Sequence, residues 1–400
     1  MAAAFREEAG RLTAWLVRSL GDFPIAEEIV QDTLVAALEQ WSTQGVPDCP
    51  SAWLRTVARR RAIDRLRREI RFKEKLAQLD LPIPQEPDNR LELIFTCCHP
   101  ALAPENQVAL TLRAVCGLTT AQIARAFMVS EATVAQRIVR AQRKIVEAGI
   151  PYRVPRDDEL DARLSQVLSV LYLTFNEGYL SGSGKSAARR EVAEDAAWLA
   201  ALLSDLFPMH PEVLGLLALM RLHLARSESR FDVRGDLVLL RNQDRSKWDR
   251  AAIAEAVRLV ERAASLKRPG PYQLQAAIAA CHAEARSWAD TDWPQILILY
   301  DMLLHLAPSP VAQLNRAVAM KHVLGAESAL AEVESLAPSL DGYHLLHAVR
   351  ADLLRTLGRQ LEAQAAEQRA LALTQNPAER SLLRRRMSHD AYDARDALPC

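Results

Sequence analysis

The sequence predicts an all-α protein in which two small helical domains precede a longer helical repeat domain. Three observations carry that expectation. Half of the 400 residues are hydrophobic, with Ala and Leu dominant, whereas aromatics make up 6% and glycines number only 14. Runs of alternating β-branched residues are nearly absent, and apolar residues recur instead at three- and four-residue spacing. Charge is also segregated, although the formal net charge is zero. Residues 1–50 hold three basic and eight acidic residues, 51–75 ten and three, 76–110 one and five, and 111–150 six and two. Two basic islands in acidic surroundings point to two separate nucleic-acid contacts and not to a diffuse polycation. A chain of this length exceeds one ordinary core, so about two or three domains are expected.

Residues 5–41 read as two helices broken at Gly21-Asp22-Phe23-Pro24. The second places Ile29, Val30, Thr33, Leu34, Ala37 and Leu38 on one side and Glu27, Glu28, Gln31 and Asp32 on the other. That acidic face suits either solubility or the docking of a basic partner. The turn-rich STQGVPDCP then leads into SAWLRTVARRRAIDRLRREIRFKEK, with Ser51 the expected N-cap. Trp53, Leu54, Val57, Ala58, Ile63 and Leu66 give this helix a packing face, and arginines cover the rest. Acidic i+4 partners are too few to pair most of those arginines, which favours a phosphate- and base-reading surface over a solvated, ion-paired one. Residues 76–89, LAQLDLPIPQEPDN, hold three prolines and three acids and read as a linker.

A second helical module runs from Arg90 to about Gly149. Within it, LTTAQIARAFMVSEATVAQRIVRAQRKI has the form of a helix-turn-helix: a short helix from Thr120, a turn at Met128–Ser130, and a second helix capped by Ser130. Val134, Ile138, Ala141 and Ile145 would face inward, and Thr133, Gln136, Arg137, Arg140 and Arg143 are the candidate readers of base edges and phosphates. The six cysteines (Cys49, Cys97, Cys98, Cys116, Cys281, Cys400) form no C-x-x-C pair. Disulfides are therefore not expected, and Cys97-Cys98-His99 reads as buried thiols beside a histidine, not as a metal site. No metal or other cofactor is expected. The beginning of the chain carries acids where a signal peptide needs an apolar core, and no stretch has the length of a membrane span, so a cytoplasmic location is expected.

Taken together, AEEIVQDTLVAALEQW, PSAWLRTVARRRAIDRLRR, a Pro-rich linker and the helix-turn-helix resemble regions two and four of a bacterial RNA polymerase sigma factor of the extracytoplasmic-function (ECF) branch, group IV. The resemblance covers residues 1–150. It implies that Glu27, Glu28, Gln31 and Asp32 dock on core RNA polymerase, that the loop from Trp41 to Pro50 holds a flipped base, and that Arg59, Arg60, Asp64, Arg67 and Arg68 line single-stranded DNA at the minus-ten element. The second module would set its recognition helix in the major groove at minus thirty-five. On this view the domains are residues 1–75 (region two), the linker 76–89, 90–150 (region four) and a helical extension, 151–400. The chain would catalyse nothing itself.

Such sigma factors do not need the last 250 residues. The run VLSVLYLTFNEGYLSGSGKSAARR invites a P-loop reading, but the first motif glycine would fall at position 179, which is Tyr179, with Gly178 one place off; a loop between helices is expected instead. Downstream, amphipathic segments come in pairs, among them WPQILILYDMLLHL with VAQLNRAVAMKHVLGAESALAEVESL. The last pair, YHLLHAVRADLLRTLGRQLEAQAAEQRALALTQNP, resembles a tetratricopeptide repeat (TPR), with Ala351, Leu354, Gly358, Ala363 and Ala370 at its small and apolar positions. Glu367 stands where that repeat usually has an aromatic. Stacked helix pairs make a concave surface, so a protein or peptide ligand of the extension is expected. FNEGY, GDLVLL, QDRSKWDR and LAPSPVAQLNRAVA also resemble the long C-terminal extension of one sigma-factor subgroup, whose members are thought to be regulated through it and are commonly linked to small YCII-related proteins. Asn176, Glu177, Tyr179, Asp244, Arg245, Trp248 and Asp249 stand in these motifs; their character allows a latch, a pocket or helix capping. The competing readings are a hydrolase built on His99, His210 or His282 and a helix-turn-helix repressor with a protein-binding helical scaffold, which would leave the arginine helix and its acidic neighbour unexplained.

Overall fold

The computed structural model describes residues 2–68, 90–127, 129–180, 187–232 and 235–396. The expected linker at 76–89, Met128 in the expected turn and the glycine-lysine stretch at 181–186 lie outside them. Nineteen α-helices and no strand are found among the described residues; the sole extended pairing there is an isolated antiparallel bridge between Phe231 and Leu237. No described helix is long and apolar enough to cross a membrane. The chain divides into two compact units, one up to Glu177 and one from Gly178.

The first unit opens on α1 (Ala2–Leu20) and α2 (Phe23–Gln44). Gly21, at φ 68°, turns the chain, and the Asp22 carboxylate accepts the Ile25 N–H at 2.9 Å, so the predicted break is a capped helix start. Helix α3 (Pro50–Arg68) packs on both through Leu54, Ala58 and Ala62. It begins two residues earlier than expected: the Trp53 N–H reaches the Cys49 carbonyl, and Ser51 lies inside the first turn, its hydroxyl donating to Glu8 at 2.9 Å instead of capping. Leu38, expected on the apolar side of α2, is 61% exposed. Four helices follow, α4 (Arg90–Cys97), α5 (Pro104–Ala114), α6 (Thr120–Phe127) and α7 (Glu131–Glu147), around a core that includes Leu110, Leu112, Ile123 and Val134. Cys97 and Cys98 are fully buried in it; burial pushes the Cys98 thiol up to about 12, so it stays protonated. Helix α8 (Asp157–Leu180) fastens to this module: Arg163 donates to the Phe95 carbonyl at 2.7 Å and Gln166 to Gln107 at 3.1 Å.

The second unit stacks α9 (Ala187–Leu206), α10 (Pro211–Leu224), α11 (Arg250–Ser265), α12 (Pro271–Glu284), α13 (Trp293–Leu306) and α14 (Pro310–Leu324) against successive neighbours. The long segment expected after α13 is two helices and not one. Gly325, at φ 91°, ends α14 and starts α15 (Ala326–Ser335), because only glycine takes that backbone conformation without strain. A single turn, α16 (Ala337–Leu340), precedes α17 (His344–Thr356), α18 (Gln360–Leu373) and α19 (Pro377–Asp396). Ala351, Leu354, Ala363 and Ala370 are all fully buried in the α17–α18 pair, and Gly358 makes its turn at φ 76°.

An aromatic cluster joins α12 to α14. Trp293 stacks on His322 at 3.9 Å and meets Trp288 edge-on at 4.8 Å, with His282 against both tryptophans. Burial, helped by the Arg226 and Arg245 guanidiniums and by His322, pushes the His282 imidazole from 6.5 down to about 4. The unfolded chain takes up this proton as pH falls through 6.5, whereas the folded chain resists until about 4. His282 therefore contributes its full stability above the upper value and loses about 3 kcal/mol across that window on acidification. Thermal unfolding of the full chain should show a Tm that drops between pH 7 and pH 4.5, with a shallower drop in His282→Phe; equal slopes would refute it.

Candidate polymerase and nucleic-acid interfaces

Helices α2 and α3 face each other with opposite charge. Asp32 pairs with Arg61 at 3.2 Å and Glu28 with Arg65 at 3.5 Å, so the arginine helix finds acidic partners on its neighbour that its own sequence lacks. Gln31 is exposed beside them. Glu27 turns the other way: its carboxylate takes a close ion pair from Arg113 of α5 and a hydrogen bond from Gln142 of α7 at 3.4 Å. On the remaining surface of α3, Arg60 and Asp64 are exposed and Arg59 is half-buried. Arg67 and Arg68 belong to the last turn of α3, where the side chains lie outside the described residues. Trp41, in the last turn of α2, meets Trp53 of α3 edge-on at 5.4 Å, so an aromatic pair brackets the intervening loop. That contact joins residues on different helices, and helical periodicity read one helix at a time does not show it.

The helix-turn-helix is built on two caps. Thr119 and Gln122 cap the start of α6 reciprocally, the Thr119 hydroxyl accepting the Gln122 N–H at 3.1 Å and the Gln122 side chain accepting the Thr119 N–H at 2.8 Å. Ser130 caps α7, its hydroxyl accepting the Thr133 N–H at 3.1 Å. The Ser130 cap is the one the sequence predicts; the Thr-x-x-Gln box is an equally local signal. Val134, Ile138 and Ala141 are buried as expected, and Ile145 is half-buried. Gln136, Arg140 and Arg143 are exposed on the outer face, although Arg143 already pairs with Glu147 at 2.5 Å. Thr133 and Arg137 are half-buried. Arg137 stands at the flank, lining a cleft of about 390 Å³ with Phe127, Val129 and Leu173.

Two family models match these elements: "Sigma-70 region 2" over residues 4–72 and "Sigma-70, region 4" over residues 92–145. The ECF RNA polymerase sigma factor SigL of Mycobacterium tuberculosis is 32% identical over 153 residues, which span 36% of this chain and 86% of SigL. The chain belongs to the ECF sigma factors. The ferric citrate uptake sigma factor FecI of Escherichia coli is also similar, 29% identical over 140 residues, 33% of this chain and 80% of FecI. An uncharacterized protein of Rhizobium meliloti is 43% identical over 392 residues, 94% of this chain and 93% of that one, so the similarity runs on through the residues beyond the two sigma regions. A family of unknown function, DUF6596, matches residues 163–264. No solved structure matches. Sigma factors are transcription initiation factors and not enzymes, and their two domains imply binding to core RNA polymerase and promoter DNA.

The histidines weighed as hydrolase candidates sit in structural roles in this ECF sigma factor. His99 accepts the Ala101 N–H at 3.1 Å, His210 occupies the N-cap position of α10, and His282 belongs to the aromatic cluster. In the extension, QDRSKWDR forms a knot. Asp244 accepts the Ser246 N–H at 3.0 Å and Asp249 caps α11 through the Ala252 N–H at 2.9 Å. Arg245 donates to the carbonyls of His282 and Ala285, each at 2.6 Å, beneath Trp248, whose indole N–H reaches the Ser229 hydroxyl at 2.7 Å. Tyr179 is buried under the Arg230 guanidinium, 4.0 Å from its ring centre. Asn176 is half-buried and Glu177 exposed, both on α8.

Proposed function

We propose that this ECF sigma factor directs promoter recognition, opening and initiation through two faces, and that its helical extension regulates the process. Region two would occupy residues 1–75, a linker 76–89, region four 90–150 and the extension 151–400. Glu28, Gln31 and Asp32, with Glu27, would dock on core polymerase. Arg59, Arg60, Asp64, Arg67 and Arg68 would follow the minus-ten strand, beside the Trp41–Trp53 pair, where basic and aromatic groups can hold unstacked bases without any covalent chemistry. Thr133, Gln136, Arg137, Arg140 and Arg143 would read the minus-thirty-five element. The observation that carries the reading is the pairing, in one chain, of an arginine helix beside an acidic helix with a doubly capped helix-turn-helix, each matched by its own sigma-region model.

The buried small residues of the α17–α18 pair support a TPR-like extension with a protein or peptide ligand. A cytoplasmic location would follow from this function. Because α8 is fastened to region four by Arg163, the informative truncation keeps residues 1–177. Multi-round transcription from the protein's own upstream promoter, with core polymerase and either the full chain or residues 1–177, tests both parts of the proposal. Transcript dependent on the full chain supports the sigma function, and a difference between the two proteins gives the sign of regulation. Equal activity would sink the regulatory part. No transcript, with tight duplex binding in the absence of polymerase, would replace the sigma function with that of a repressor.

A further inference from the structure

The GDLVLL motif lies outside both matched sigma regions and forms one wall of a cleft in the second unit. Leu237, Val238 and Leu239 stand along that wall, and Leu382 of α19 adds to the apolar surface. The cleft has a volume of about 540 Å³, within the range of small-molecule sites. Its remaining lining is strongly cationic: Arg241, Lys321, Arg355, Arg385 and Arg386 against two carboxylates, Asp232 and Asp352.

Three of these cations converge on a single negative charge. Asp352 takes Lys321 at 2.7 Å, Arg386 at 3.1 Å and Arg241 at 3.7 Å, from α14, α19 and the short turn after GDLVLL. Arg385 leans on Asp236 at 3.2 Å and reaches Asp232 at 3.8 Å, and Arg355 leans on Glu367 at 2.6 Å. Counting Asp236 and Glu367 behind the wall as well, one positive charge is still in excess. An ion-pair network that only fastened α19 to the repeat would need neither that excess nor an open volume beside an apolar wall. Arg241 and Arg385 each keep 45% of the side chain exposed, so the open edges of their planar guanidiniums face the cleft as donors for an added anion.

We propose that this cleft binds a phosphorylated small molecule of mononucleotide size, its phosphate among Arg241, Lys321 and Arg385 and its body against the GDLVLL wall. A phosphate dianion offers at least three acceptor oxygens and more charge than a carboxylate, matching several forks at once. The apolar wall accounts for a ligand larger than phosphate itself. The inference does not depend on whether the extension regulates transcription, since binding is read directly.

The test is isothermal titration calorimetry on the full chain with adenosine monophosphate, adenosine and pyrophosphate. Saturable binding of the monophosphate is expected, weakened at least about tenfold when the phosphate is removed. The double variant Arg241→Gln/Arg385→Gln should lose at least about tenfold in affinity for the monophosphate. Arg350→Gln, whose guanidinium pairs with Glu334 outside the cleft, should bind as the parent does. Far-UV circular dichroism would show that the variants keep their helices. No saturable binding of the monophosphate, affinity no greater than that of adenosine, or equal affinity in the double variant would overturn the assignment; the titration of the unaltered chain decides the first two points even if a variant fails to fold.

Discussion

Glu367→Ala should lower the stability of the second unit by about 3–5 kcal/mol, a large change for one side chain. The Glu367 carboxylate is fully buried, bound by Arg355 at 2.6 Å and approached by Arg386 at 3.5 Å. Both guanidiniums are themselves largely shielded, with 22% and 18% of the side chain exposed. Removing the carboxylate takes from the shielded Arg355 its 2.6 Å partner and leaves Arg386 to Asp352, and this loss of a buried ion pair dominates over the lost packing. Urea unfolding followed by circular dichroism would measure it, through a lower midpoint at unchanged slope. A shift worth under about 1 kcal/mol would mean that solvent reaches the pair and that Glu367 is not the tie between α17, α18 and α19. Combining Glu367→Ala with Arg355→Met should recover part of the loss, because the pair and not either charge is what the fold accommodates.

Arg140→Ala should reduce transcription from a cognate promoter roughly tenfold to a hundredfold while leaving affinity for core polymerase unchanged. Arg140 lies on the outer face of α7, whereas Gln142, which ties this helix to Glu27, lies on the inner one. A single lost base contact is worth about 1–3 kcal/mol, and a lost phosphate contact would lower the salt slope of promoter binding by about one. Promoter binding of the holoenzyme over a salt series separates these. Loss of core-polymerase binding in step with transcription would instead place Arg140 at the protein interface.

The helix-turn-helix was legible because its signals are local. Ser130 lies three residues from the N–H it caps, and the inward positions of α7 repeat within a few turns. Glu367 is legible as an irregularity, since a carboxylate at a position otherwise filled by an aromatic needs a buried partner; the nearer partner, Arg355, lies within the repeat, whereas the second, Arg386, lies beyond it. Gly325 does not read as a break because its flanks, AVAMKHVL and AESALAEV, both favour helix, and only the sign of φ distinguishes a glycine inside a helix from one between two. Ser51 was placed at the cap on residue preference, whereas Pro50, which has no N–H to satisfy, already opens the helix. The contacts of the acidic face were the least readable. Asp32 and Arg61 are 29 positions apart and Glu27 and Arg113 are 86 apart, and no periodicity in the sequence links them.

Gly10 of α1 lies against the end of α5, where a Cβ would stand 2.5 Å from the Val115 carbonyl oxygen. The spacing between the two sigma regions in the first unit is thus gauged by a hydrogen atom. Any side chain at position 10 acts as a wedge, and it does so without altering a charge that polymerase or DNA would meet.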